Sequence, residues 1–513
     1  MQNLRGAIAY FLICCGLSVA VAGAQESKSV PLNSDSPSFS LSTGSSFSAT
    51  GKSNSAPLAR AAPIKAITSD VREAMDIIDR NHITGVQRNS ERVFAIAINQ
   101  MLRELDPHSA YHTRSEFREL TNDNLGQYFG AGITVADFKR DGKNGTYIIS
   151  VKKGTPAYIA GLRFGDKITK IDQLNIQERN SDEVRDRIRG PEGSSVTIEI
   201  ERADGTRKSI SVRRGRVLQL TVPSSFLMKE GVGYIALTEG FSYTTATEFA
   251  SALGRLKRSG MQALVLDIRG NGGGLMTQAI NIAETFLPAG RVIVSERGRT
   301  RAVDREWRSR NPHPETMPLT VLVDENTASA SEIFTAAMQD NDRAVIVGAR
   351  TFGKGLVQDI IPLSDGSGLT LTSERYYSPS GRSIQRDYSD GHLYDYFRHV
   401  STGALIDKPS FAARTRNGRV VYGGDGIQPD IQIAAKAWTE KDSLDYEKAF
   451  FFARENVPTE STGIERNVER HVRWFRAMAL GDNETAAKTM LENDPQFQAA
   501  ITSVAPAIQP KNK

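Results

Sequence analysis

The stretch Val321–Gln358 reads VLVDENTASASEIFTAAMQDNDRAVIVGARTFGKGLVQ. Leu319–Val323 and Ala344–Val347 are short apolar runs of the kind that form buried strands. Between them Ile333, Phe334, Ala337 and Met338 recur at helical spacing, which predicts a helix starting near Ser329. Strand, helix and strand in this order form the repeating unit of a crossover α/β sheet. Ser329 then stands where a loop turns into a helix N-terminus, where free N–H groups and the positive dipole end favour anions. A serine so placed can attack a carbonyl while nearby amides receive the oxyanion. Lys354 follows the second strand in Phe-Gly-Lys-Gly, and Gln358 comes four positions later. A step of four keeps two side chains on one face of a helix or a strand.

Three other readings compete here. Ser329-Ala-Ser-Glu332 is a capping box, so Ser329 could simply cap the helix. Ser331 is the rival nucleophile. Gly348-Ala-Arg-Thr-Phe-Gly353-Lys354 fits a phosphate-cradling loop, but Gly355 stands where a Ser or Thr would hold magnesium. Such a loop also requires a following helix, whereas Gly355–Leu363 reads as extended.

The same stretch resembles the catalytic core of the carboxyl-terminal processing proteases, also called tail-specific proteases, through TASASEIFTAAMQD and TFGKGLVQ. The resemblance implies a serine–lysine dyad: Ser329 the nucleophile, Lys354 the base, Gln358 the group that orients the lysine. It also puts the reactive serine at the first position of Ser-Ala-Ser-Glu. Seven histidines occur in the chain and none lies between Val321 and Gln358, which favours lysine as base. Such a lysine works only when neutral, so burial must lower its pKa to about 7–8. Asp340 matches a family position and is read as a structural hydrogen-bonder.

Outward from this stretch, Gly231–Ala236 reads as a strand, Thr245–Lys257 as a helix and Ala263–Asp267 as a buried strand. Asp267-Ile-Arg-Gly-Asn-Gly-Gly-Gly-Leu275 follows and resembles the family's glycine-rich turn, with Gly270 and Gly272 where Asn and Pro are common. By resemblance, Gly273 or Gly274 gives one oxyanion hydrogen bond and Ala330 the other. Met276–Phe286 is the next helix and Arg291–Ser295 the next strand. Residues 216–435 therefore read as a crossover α/β core, which the resemblance implies is the serine protease core. The resemblance makes it the spiral fold shared with crotonase-like and Clp-type proteins. Tyr376, Tyr377 and Arg382 are candidates for lining its groove, although packing is the commoner task for such tyrosines.

Residues 126–215 resemble an inserted, β-rich PDZ domain. Gln127-Tyr-Phe-Gly-Ala-Gly-Ile133 fits the loop and strand that receive a peptide's terminal carboxylate, which makes Tyr128, Phe129, Gly130, Gly132 and Ile133 the candidate peptide-binding residues. Arg189 is a candidate sensor of bound substrate. Residues 64–125 are read as a helical amino-terminal segment: Ile64–Leu105 carries helical spacing, and Leu105-Asp-Pro-His-Ser-Ala-Tyr111, another match to the family, follows. His108 lies there without a triad context and is read as structural. Residues 436–513 are helical and polar, with Trp474, Phe475 and Met478 on an apolar face; cap, dimer contact and adaptor site all stay open.

Residues 1–24 read as a secretory signal: Arg5, an apolar run, then Ala22-Gly-Ala24 before a cut at Gln25. Residues 25–63, rich in Ser, Pro and Ala, read as a disordered linker. Secretion across the inner membrane to the periplasm is expected. The two cysteines, Cys14 and Cys15, fall in the signal, so a cleaved chain has no thiol chemistry. At 513 residues, 39% hydrophobic and 24% charged, the composition suits a globular protein of several domains, and a net charge of +5 gives little reason for a nucleic-acid partner. No metal or other cofactor is expected. The expected partners are protein C-termini as substrates, with an envelope adaptor and self-association left open. The alternative function is a PDZ peptide-binding module with an inactive protease core.

Overall fold

A computed structural model describes residues 61–83, 90–177, 179–228, 231–299, 304–389, 396–397, 411–456 and 466–504. The signal reading, residues 1–24, and nearly all of the linker reading, 25–63, lie outside the described residues. One unit contributes the amphipathic Ala61–Asn81 helix and the start of the Ser90–Arg103 helix. The unit that begins at Ile98 carries everything below.

Its centre is a six-stranded sheet in the order Ser224–Leu227, Val232–Ala236, Ala263–Asp267, Leu319–Val323, Val345–Gly348 and Ile431–Gln432. The first pair is antiparallel and all later pairs are parallel. Strands that follow one another in the chain lie side by side. Crossovers stepping in one direction put the three helices between these strands on the same face, and this produces the spiral. Phe249 and Leu253 of Thr245–Arg258, Ile282 and Phe286 of Met276–Phe286, and Ile333 and Phe334 of Ala330–Asp340 all join one core with Leu264 and Leu266. Strand alternation turns Ala263 and Val265 to the other face, where Phe497, Ala500 and Val504 of the Pro495–Val504 helix cover them. Part of the carboxyl-terminal region therefore completes the protease core.

A second sheet is antiparallel. Gly368–Tyr377 pairs with Leu356–Pro362, with Ala110–His112 and with Val292–Gly298, which in turn pairs with Arg305–Arg308. The Ala110–His112 pairing brings the segment that includes Asp106 and His108 against Gly368–Tyr377, the partner of the strand that follows Lys354.

The PDZ sheet runs in the order Ile133–Arg140, Lys143–Val151, Lys167–Ile171, Ser195–Glu201, Arg207–Arg213. Ile133–Arg140 is an edge strand, and the Ser181–Ile188 helix docks beside it through Ser181 N–H to Asp137 Oδ2 at 2.8 Å. The Glu440–Glu455 and Arg466–Leu480 helices pack on this domain, where Phe450 stacks on Phe138 at 3.9 Å between centroids. Trp474 and Phe475, the apolar face noted in the sequence, join the same cluster.

Candidate active site

Ser329 precedes the Ala330–Asp340 helix with φ 57° and ψ −119°. A non-glycine residue in this region costs of order 1–3 kcal/mol and is held only by strong surroundings. Here those surroundings are polar and buried. Glu332 Oε2 accepts the Ser329 N–H at 2.9 Å, while the Glu332 N–H turns to the Ser329 carbonyl at 2.8 Å. Ser329 Oγ faces the first turn in capping-box geometry but makes no side-chain cap hydrogen bond. The side chain is partly exposed.

Glu332 itself is fully buried. Besides Ser329 it accepts from Thr351 Oγ1, from Gly353 N at 2.8 Å and from Lys354 N at 2.9 Å. Burial pushes its carboxyl up to about 7, against these donors, which favour the charged form. The phosphate-loop reading fails for a physical reason: the amides of Gly353 and Lys354 already bind this carboxylate, and a strand, Leu356–Pro362, follows instead of a helix.

The backbone carbonyls are held as well. Tyr376 Oη shares its one proton between Ser329 O, at 3.0 Å, and Lys354 O, in a short bond. Tyr376 is 2% exposed, so it clamps the site from behind and does not line a groove. Arg382 is buried too, donating to Asp340 Oδ1 and Gln339 Oε1, both at 2.8 Å. Asp340 also accepts from Ser380 and has no link to Ser329. Of the three groove candidates only Tyr377 stays partly exposed, with Arg297 over its ring.

The Lys354 side chain is partly buried, and Nζ has no hydrogen-bond or ion-pair partner among the described residues. Burial lowers its pKa to about 8, while the charges of Glu332 and Asp106 work the other way. Its deprotonated form is therefore accessible near neutral pH. No hydrogen bond joins Nζ to Ser329 Oγ, a separation common in unliganded sites. Gln358 Nε2 donates to Thr372 Oγ1 at 3.1 Å, and no hydrogen bond links Gln358 to Lys354. The shared-face expectation meets a bulge between Val357 and Gln358, which breaks strict alternation along the strand.

Ser331 is excluded as nucleophile on geometry. It is fully buried, and its hydroxyl donates to Asn271 O at 2.9 Å and Asn271 Oδ1 at 2.8 Å. Asn271 ties the glycine-rich turn to the Ser329 turn, since its carbonyl also accepts from Ala328 N at 3.0 Å. Gly273, at φ 100°, lies so close that a Cβ would meet Ser329 Cβ at 2.8 Å and Ala330 N at 2.9 Å. Gly273 N donates to Asn271 Oδ1 at 2.9 Å. The amides of Gly274 and Ala330 have no hydrogen-bond partner among the described residues. Of the two glycines expected to serve the oxyanion, Gly274 is thus the one with an uncommitted donor. Arg269 of the same turn pairs with Asp267 and reaches Asp494 at 2.6 Å, anchoring the carboxyl-terminal helix that covers the sheet.

His108 Nε2 lies 2.7 Å from Tyr396 Oη, in an aromatic cluster with Phe352 and Phe397. Burial, then the Lys354 charge, lower its pKa to about 3, with Asp106 opposing. In the PDZ domain Gln127–Gly130 pairs with Gly215–Leu218, and Ile133 opens the edge strand. Between them the amides of Ala131 and Gly132 have no hydrogen-bond partner among the described residues. A Cβ at Gly132, φ 85°, would meet Thr155 at 2.4 Å. Arg189 lies over the Tyr128 ring at 4.9 Å, with its buried Nε unpartnered.

Residues 231–394 match the profile of peptidase family S41 and residues 147–202 that of the PDZ domain. The chain is 35% identical over 302 residues to the carboxy-terminal-processing protease of Bartonella bacilliformis, covering 58% of this chain and 68% of the relative. It is 31% identical over 328 residues to a CtpA-like serine protease of Staphylococcus haemolyticus, covering 63% and 64%. A solved photosystem II D1 C-terminal processing protease aligns with 71% of this chain and 92% of its own at 26% identity, TM-score 0.38. The chain belongs to the carboxy-terminal-processing proteases, serine-type peptidases of family S41 that carry a PDZ domain.

Proposed function

We propose that the protein is an exported endopeptidase that selects substrates by their free C-termini and cleaves them through a Ser329–Lys354 dyad. The observation that carries this reading is the joint placement of a strained, partly exposed serine and an unpartnered, desolvated lysine on one buried carboxylate. Neutral Lys354 Nζ takes the proton of Ser329 Oγ as that oxygen adds to the scissile carbonyl. The oxyanion receives the amide of Ala330 and, once a substrate is seated, that of Gly274 or of Gly273 released from Asn271. The resulting ammonium returns its proton to the departing amine, and the C–N bond breaks to leave an acyl-serine. Water then attacks with the same lysine as base, releasing the acid and restoring Ser329. Gln358, held on the neighbouring strand, orients Lys354 without a charge that would raise its pKa.

Recognition of the C-terminus is supported by the edge position of Ile133–Arg140 and the unpartnered Ala131 and Gly132 amides at its start. A peptide adds as a further strand and its carboxylate enters that loop. The unpartnered Nε of Arg189 beside Tyr128 supports its sensing role. Export rests on the Met1–Ala24 pattern, and the periplasm is its expected destination. The test is Ser329→Ala: turnover of a peptide with a free apolar end is lost while the melting profile is kept. Retained turnover by that variant overturns the reading.

A further inference from the structure

Two consecutive hydrogen bonds tie the Gln358 amide to Thr372 and, through it, to Asp106. Gln358 and Thr372 are directly paired across the two antiparallel strands. Gln358 Nε2 donates to Thr372 Oγ1 at 3.1 Å, and Thr372 Oγ1 donates to Asp106 Oδ1 at 2.9 Å. Asp106 is 6% exposed and sits in the Leu105–Tyr111 segment. Its Oδ1 also accepts the amides of His108 and Ser109, both at 2.8 Å, and Oδ2 accepts Ser109 Oγ at 2.6 Å. Ser109 Oγ in turn accepts the Thr372 amide at 3.0 Å, so the segment grips the strand at two points. Burial works against the charge on Asp106, but hydrogen bonds from Ser109, His108 and Thr372 hold its pKa below the usual carboxylate value.

The direction of this chain is forced. An ionised carboxylate only accepts, so the Thr372 hydroxyl must donate to it. The single hydroxyl proton is then committed, and Thr372 Oγ1 can only accept from Gln358. The amide therefore turns its NH2 to Thr372 and keeps Oε1 free. We propose that Asp106 and Thr372 are positioning residues that fix the polarity of the Gln358 amide, so that Gln358 offers Lys354 an acceptor and never a donor.

This matters because the two orientations do opposite things. Oε1 accepts one N–H of Lys354 and leaves the amine lone pair for the serine proton. The flipped amide would aim N–H groups at the same lysine, repelling its ammonium or capping the lone pair that must take the proton. The inference rests on the Ser329–Lys354–Gln358 reading, and the test separates the two.

The experiment is a double-mutant cycle on the full chain, with kcat, KM and the pH profile read for each enzyme. Thr372→Val removes the hydroxyl and keeps the shape. Expected is a fall in kcat of about tenfold, the scale of one hydrogen bond, with KM unchanged. Thr372→Ser restores it. In a Gln358→Ala background Thr372→Val has no further effect, and all three variants share one displaced acid limb. Losses that multiply in the double variant, or an unmoved acid limb in Thr372→Val, overturn the relay. Should Thr372→Val fail to fold, Thr372→Ala carries the same test, because it too removes the hydroxyl that the Gln358 amide donates to. Activity persisting in Lys354→Ala would remove the underlying dyad; multiplying losses with Lys354→Ala inert would remove only the relay.

Discussion

The backbone amides of Ser329 and Lys354 end on the same atom, Oε2 of Glu332, each at 2.9 Å. A buried carboxylate thus sets the spacing of the serine turn and the lysine loop, while Tyr376 holds their carbonyls. Glu332→Gln replaces one accepting oxygen with a donor, and stranding a buried N–H costs about 1–3 kcal/mol. The variant is expected to melt earlier and to lose most of its kcat. The Glu332 charge also raises the Lys354 pKa, so its removal moves the acid limb to lower pH. Unchanged melting and turnover would mean that the clamp does not hold the site.

The pH dependence of the wild type follows from Lys354. Burial lowers its pKa to about 8, and the neutral form is the active one. Activity therefore rises with pH through about 8 and is lost below it. Lys354→Arg keeps a charge that does not deprotonate in the working range, and it should be as inert as Lys354→Ala. His108, with a pKa of about 3 and Tyr396 on its Nε2, is poorly suited to replace it. A Lys354→Arg enzyme with near-normal kcat would give the base's role to another group.

Gly273→Ala tests the approach of the glycine-rich turn to the serine. The added Cβ would fall 2.8 Å from both Ser329 Cβ and Ala328 O, at a φ of 100° that alanine resists. Loss of aligned oxyanion donors costs about 100-fold or more in kcat. Steady-state kinetics beside circular dichroism should show that loss with the secondary structure kept. A fully active variant would mean that the turn stands further from the reacting carbonyl.

For substrate choice, amidating the last residue of a peptide, or ending it in Asp-Asp, should slow cleavage severalfold. Arg189→Ala should narrow the gap between free and blocked ends. Equal rates for both ends in the wild type would refute recognition through the Ile133–Arg140 edge strand.

The strand and helix sequence of the core was legible because apolar runs and helical spacing are local. Ala263–Asp267, Met276–Phe286 and Leu319–Val323 fall where the pattern puts them. Glu332 was legible only as half of a capping box, since its service to Gly353 and Lys354 is a tertiary contact. Tyr376 and Arg382 stand as groove candidates in the sequence because a buried phenol or guanidinium looks there like an exposed one. The step from Lys354 to Gln358 suggested a shared face, but a bulge depends on the partner strand and leaves no local mark. The carboxyl-terminal helices gave an apolar face without a destination; Phe138 and the outer face of the core sheet supply it.

The most direct test is covalent labelling by a serine-reactive fluorophosphonate, followed by mass spectrometry and timed across pH. Labelling should map to Ser329, accelerate through a pKa of about 8 and vanish in Lys354→Ala and Lys354→Arg. Label on any other serine, or equal labelling of the two lysine variants and the wild type, would contradict a Ser329–Lys354 dyad.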